Sequence, residues 1–272
     1  MALYMNGQEI SQSSGVPISG ATKPYIEEIY NSDGQLISAN MHGYDAIRSY
    51  MFSDCPNLAL NSLPNSITSI GKYAFQNCSN LALNSLPSGI TSIGSNAFSG
   101  CTNLALTSLP SSITSISSYT FYSCSNLALT SLPSGITSIG LGAFLNCSKL
   151  ALTSLPSGIT SIGKNAFYNC TSLALTSLPS GLTSIGRDAF YHCPNLALTS
   201  LPSGLTSIGN NAFEKCTGLT SITFTGTPTS IGNNAFSSCT NLTTINVPWA
   251  NGAVANAPWG ATNATINYGY TG

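Results

Sequence analysis

Apolar positions recur along this chain with a period of 23. Residues 150–172 are a clean copy: Leu150-Ala-Leu-Thr-Ser-Leu-Pro-Ser-Gly-Ile-Thr-Ser-Ile-Gly, two variable residues, Ala-Phe, two more, Cys170, then two more. Seven close copies begin at Leu58, Leu81, Leu104, Leu127, Leu150, Leu173 and Leu196, and a looser eighth begins at Leu219. The nine cysteines keep the same interval, at Cys55, Cys78, Cys101, Cys124, Cys147, Cys170, Cys193, Cys216 and Cys239. A phenylalanine stands three residues before each, from Phe52 to Phe236. Residues 35–55 hold a divergent first turn in which Ile37, Ile47, Phe52 and Cys55 stay in register.

A unit this short cannot bury its own apolar side chains, but stacked copies can, which predicts a one-dimensional array. At about 4.8 Å per turn, roughly nine turns make a rod about 40–45 Å long. Short parallel strands are expected at Leu-Thr-Ser-Leu before the proline and at Ile-Thr-Ser-Ile after it, with Pro-Ser-Gly as the turn between them. The Gly-x-x-Ala-Phe-x-x-Cys stretch should return irregularly or as 3₁₀, because Ala and Phe must both point inward. Residues 1–34 are the expected N-terminal cap, 35–248 the solenoid, and 249–272 the C-terminal cap, which holds both tryptophans, Trp249 and Trp259. Such arrays need their terminal apolar layers covered.

The pattern Leu-x-x-Ile-x-Leu-Pro-x-x-Ile-x-x-Ile-Gly-x-x-Ala-Phe-x-x-Cys resembles the cysteine-bearing leucine-rich repeat of BspA-like bacterial surface proteins. Leu242–Pro248 carries the strand half of the likeness and Ile231–Cys239 the return half; together with the other copies it covers about 35–248. The resemblance implies a leucine-rich-repeat solenoid capped at both ends. Members look like cell-surface adhesins, and similar repeats occur in prophage-encoded proteins. One departure stands out. In the close copies the first-strand apolar residues take positions one, three and six (Leu150, Leu152, Leu155), where the family pattern uses one, four and six, so Thr153 replaces an expected Ile. A bulge, or a small polar ladder along one face, would each account for it.

Composition narrows the function. Only 6% of the 272 residues are charged and the net charge is −1, so no basic patch exists for nucleic acid. No apolar run is long enough for membrane insertion. Residues 1–10 do not read as a secretory signal; the protein leaves the cell by another route, or a signal has been removed, or it stays inside, and the expected location is extracellular, cell-surface or virion. Residues 1–55 hold six acidic against two basic residues, net −4, and 56–272 hold five basic against two acidic, net +3. Head-to-tail self-association of copies through the oppositely charged caps is the corresponding expectation.

Catalytic chemistry has little to draw on. The cysteines stand one per turn, unlike paired metal ligands, and read as free, inward thiols packed as small hydrophobes. The two histidines, His42 and His192, lie in no nucleophile or acid–base motif. Asp188 and Glu214, about one turn apart, are the only carboxylates of the close repeats and read as surface. No cofactor and no glycan on the Asn-x-Ser/Thr strings is expected. The strand half barely varies between copies; variety is concentrated around Ala-Phe and Cys. Tyrosine, arginine and histidine there (Tyr73, Tyr119, Tyr122, Tyr168, Arg187, Tyr191 and His192) are the candidate ligand-binding residues, since Tyr offers a rigid body with a polar tip. A uniform Ser column (Ser108, Ser131, Ser154, Ser177, Ser200) is the other candidate face. The expected function is non-catalytic recognition of a host protein or glycan, as an adhesin or a phage-tail-like receptor-binding component. A spacer without a ligand, or an ice-binding Thr surface, are the alternatives.

Overall fold

The structure is a computed structural model that describes residues 3–5, 8–10 and 24–271. It is a parallel-strand solenoid of about 10 turns with 23 residues per turn. Among the described residues there is no helix, and so none long and apolar enough to cross a membrane. Residues 11–23 of the expected N-terminal cap lie outside the described residues. Antiparallel strands Tyr25–Tyr30 and Leu36–His42 form a hairpin through Asn31-Ser32-Asp33-Gly34. Its second strand already belongs to the stack, because the Ala59 N–H donates to the Ile37 carbonyl (2.9 Å).

The Ile-Thr-Ser-Ile segments pair as expected, but each contributes only a two-residue rung of serine outward and isoleucine buried. Three rungs run from Ala46–Ile47 to Ser92–Ile93, and six from Ser115–Ile116 to Ser230–Ile231. The following glycine sits against the backbone of the previous turn: a Cβ on Gly71 would lie 2.4 Å from the Ser49 nitrogen, and on Gly209 2.4 Å from that of Arg187. Where this glycine becomes Ser117, the sheet is interrupted. The Ser117 hydroxyl, not its N–H, donates to the Ile93 carbonyl (3.0 Å). Buried Thr120, in a column otherwise held by Ala from Ala74 on, donates to the Ser117 carbonyl (2.9 Å).

The first expected strand requires correction. Leu-Thr-Ser-Leu is not a strand in the close copies, apart from Ser200–Leu201. Apolar residues at positions one, three and six cannot keep a period of two. Leu150 and Leu152 are buried, Thr153 and Ser154 are exposed, and Leu155 is half-buried. One backbone bond per turn crosses here, such as Ala151 N–H to Leu129 C=O (3.1 Å). The looser turns restore the alternation and with it the strands. Ser221–Phe224 buries Ile222 and Phe224, Thr244–Val247 buries Ile245 and Val247, and Thr265–Tyr268 pairs beside them in parallel. The 249–271 region therefore adds a strand as well as a lid. Trp249 and Trp259 pack on Phe224, with ring centroids 5.1 and 6.1 Å away, and the Phe236 N–H donates to the Trp259 carbonyl.

The core is a set of ladders. Nine phenylalanines stack with centroids 5.3 to 5.8 Å apart. From Cys78 to Cys239 each thiol donates to the phenylalanine carbonyl of the turn before, at 2.9 to 3.1 Å. All nine cysteines are free; eight are buried and Cys55 is half-buried.

Candidate functional site

The return segment is where side chains vary, and its backbone decides which side chains fit. Two residues per turn have positive φ: the one before Ala, and the one before Cys. The first column reads Tyr50, Tyr73, Asn96, Tyr119, Gly142, Asn165, Asp188, Asn211, Asn234, with φ between 55 and 62°. The second reads Asp54, Asn77, Gly100, Ser123, Asn146, Asn169, His192, Lys215, Ser238. Left-handed geometry favours Gly, Asn and Asp, which explains the many asparagines here. These positive-φ residues and the Phe donate their N–H groups to the next turn. In one turn the bonds are Asn165 to Arg187 (2.9 Å), Phe167 to Ala189 (2.8 Å) and Asn169 to Tyr191 (2.8 Å). The remaining N–H groups of the stretch close four-residue turns, such as Cys170 to Phe167 (3.2 Å). The return is thus a run of hydrogen-bonded turns broken by left-handed residues.

The sequence candidates separate into columns. The position just after Phe reads Ser53, Gln76, Ser99, Tyr122, Leu145, Tyr168, Tyr191, Glu214, Ser237. Tyr122, Leu145, Tyr168 and Tyr191 therefore occupy four consecutive turns, a strip about 15 Å long at the strand spacing. Tyr119 joins it from the neighbouring column, edge-on to Tyr122 (6.0 Å). Its ring lies over Gly142, where a Cβ would come within 2.4 Å of a ring carbon. Tyr73 does not join. It stacks on Tyr50 (4.8 Å), and the turn carrying Asn96 separates it from Tyr119.

Tyr168 and Tyr191 stack face to face, 4.6 Å apart and 4° from parallel, so their edges and hydroxyls are what they offer to solvent. Lys215 lies over the Tyr191 ring, 4.8 Å from its centroid, and donates to its hydroxyl. That hydrogen bond pushes the Lys215 pKa up. Burial, then the neighbouring Tyr191 and Asp188, push the Tyr168 phenol up. Beside the strip runs a polar ladder: Asn146 donates to Ser123 (3.5 Å), Asn169 to Asn146 (3.1 Å), and His192 Nδ1 meets Asn169 Oδ1 (2.8 Å). Arg187 is exposed and bridges Asp188 (2.9 Å), which also accepts from Asn211 (3.0 Å). Residue type alone does not single out Leu145, Lys215 or the amide ladder; the columns at intervals of 23 do.

Elsewhere there is little to compete. A cleft of about 290 Å³ is lined by Ala39 to His42 and Ser62 to Pro64, with His42 stacked on Tyr25 (4.5 Å). Among the described residues no three His, Cys, Asp or Glu converge to hold a metal. The serines of the Leu-Thr-Ser-Leu stretch are exposed in a row from Ser108 to Ser200.

The family model described as "BspA type Leucine rich repeat region" matches residues 45–174 and 143–257 with 6 copies. Among solved structures, a leucine rich cell surface protein of Faecalibacterium prausnitzii is 18% identical, with 93% of this chain and 97% of that chain covered and a TM-score of 0.41. The T. pallidum leucine rich repeat protein is 25% identical over 80% and 87% (TM-score 0.43). The pneumococcal vaccine antigen PcpA is 22% identical over 79% and 62% (TM-score 0.46). No curated protein sequence matches.

Proposed function

The chain belongs to the BspA-type leucine-rich repeat family, and from that premise we propose that it is a non-catalytic recognition protein working at a bacterial surface or on a virion. Its ligand sits on the strip formed by Tyr119, Tyr122, Leu145, Tyr168 and Tyr191, with Asn146, Asn169, His192 and Lys215 as the polar rim. The observation that carries the reading is the clustering. One column is aromatic or apolar in four successive turns, while the turns on either side place Ser, Gln or Glu there. Random drift at a mostly half-buried position would scatter such residues.

The geometry favours a protein ligand over a sugar. Sugar rings pack on open aromatic faces, whereas Tyr168 and Tyr191 cover each other's faces and Lys215 lies over Tyr191. What remains outward is phenol edges and hydroxyls beside amides, the chemistry of a tyrosine-rich protein interface. The ice-binding reading is weaker. Threonines of the rung face hydrogen-bond to the backbone one turn back, as Thr183 to Thr160 (3.0 Å) and Thr206 to Thr183 (2.9 Å), and are less free to match a lattice.

Replacing Tyr122, Leu145, Tyr168 and Tyr191 together with Ser tests the proposal on intact host cells. The expected result is at least a roughly tenfold loss of binding with an unchanged circular dichroism spectrum. Full binding by the folded variant would rule the strip out and leave the spacer reading.

A further inference from the structure

The strand Thr265–Tyr268 has a neighbour on one side only among the described residues, Thr244–Val247. Unprotected sheet edges template pairing with other chains, and proteins usually guard them with charge, proline or a bulge. This edge has none of these. No charged residue occurs anywhere in 217–272, and Thr-Ile-Asn-Tyr contains no proline. Ile266 and Tyr268 are half-buried on one face, and Tyr270 just beyond is 42% exposed. The other terminal strand, Tyr25–Tyr30, carries Glu27 and Glu28.

We propose that this edge pairs with the same edge of a second copy, antiparallel about a twofold axis, to give a dimer joined through its C-terminal turns. Charge selects the end. A twofold contact sets identical surfaces together, and residues 1–55, at net −4, would repel their own copy, whereas 217–272 are neutral.

The hydrogen-bond pattern selects the register. The Thr265 N–H points inward, to the Thr243 carbonyl (2.9 Å). By alternation Asn267 also turns inward, which leaves the N–H and C=O groups of Ile266 and Tyr268 facing out. Setting Ile266 opposite the partner copy's Tyr268, and the reverse, forms four hydrogen bonds. It also makes two apolar cross-strand pairs. Asn267 then faces its own copy in a close, non-hydrogen-bonded pair with Cα atoms about 4.5 Å apart. The dimer carries two tyrosine strips, so a multivalent surface would bind it with avidity.

Asn267 is exposed, so it can be changed without touching the core. In sedimentation velocity across a dilution series, the wild-type chain should run at twice its 28.1 kDa. Asn267→Lys and Asn267→Asp should each run as monomers with an unchanged circular dichroism spectrum, because like charges would face each other. An equimolar mixture of the two should recover the dimer. A monomeric wild type, a dimer that survives Asn267→Lys, a mixture that stays monomeric, or assemblies that grow beyond dimer would each overturn the proposal.

Discussion

In the return half of each central turn, three backbone N–H groups reach the next turn; in the leucine half of the close copies, at most one N–H crosses, and it reaches the turn before. The return half adds the phenylalanine stack and the thiol bonds. Yet the leucine half is the one whose sequence hardly changes, and the return half is the one that varies. Invariance here does not mark the more regular backbone. The leucine half is held mainly by side-chain burial, so its leucines matter. The return half is held by its backbone, so side chains that point outward from it can differ from turn to turn. That freedom is what lets one column become a tyrosine strip.

The largest effect should come from alkali, which attacks the return half at every turn at once. Burial pushes the thiols up from their ordinary value of 9.0, Cys78 and Cys239 to about 12. The native state therefore holds its thiol protons at a pH where the unfolded chain has released them. This contribution to stability is complete below about pH 9 and should be lost as pH rises toward about 12. Urea midpoints measured between pH 7 and 12 check this, and a flat profile would contradict it. In the same samples, a thiol reagent at neutral pH should reach at most Cys55 in the native protein, and all nine cysteines in denaturant.

Next, Phe167→Ala should cost about 3–5 kcal/mol, because it empties a fully buried place in the stack. Leu155→Ala, at a half-buried position of the leucine half, should cost roughly 1–2 kcal/mol. Equal losses in urea titration would erase the contrast between the halves. Gly209→Ala should cost about 1–3 kcal/mol, since its Cβ would strike the backbone of the preceding turn. The double change Ser117→Gly and Thr120→Ala should close the gap between Ser92–Ile93 and Ser115–Ile116, with a gain of about 1 kcal/mol per restored bond. Asn146→Ala should cost about 1–2 kcal/mol for its left-handed φ, and Asn146→Gly, the smallest effect, clearly less.

Much of this was legible in the chain. The interval of 23, shared by Phe and Cys, was enough to place both ladders inside the rod. Ile-Thr-Ser-Ile showed where rungs form, although only Ser and Ile of each pair. Leu-Thr-Ser-Leu fails as a strand because a shift of one apolar position, from four to three, breaks the alternation a strand needs. Thr153 was the visible trace of that shift, and it is exposed in the structure. The left-handed positions were hidden behind apparently loose variation, although Asn at 96, 165, 211 and 234 marks one column of them. Tyr73 belonged with Tyr50 and not with the strip, because adjacency in a solenoid runs between columns one turn apart. A selection by residue type cannot register that.

Residue-resolved amide hydrogen exchange compares the two halves most directly. In the central turns, the N–H groups of Phe144, Asn146, Phe167 and Asn169 should be the slowest to exchange. Those of Thr153, Ser154 and Leu155, which make no backbone hydrogen bond, should exchange fastest, by orders of magnitude. Equal protection in both halves, or slower exchange in the leucine half, would contradict the claim that the variable half holds the turns together.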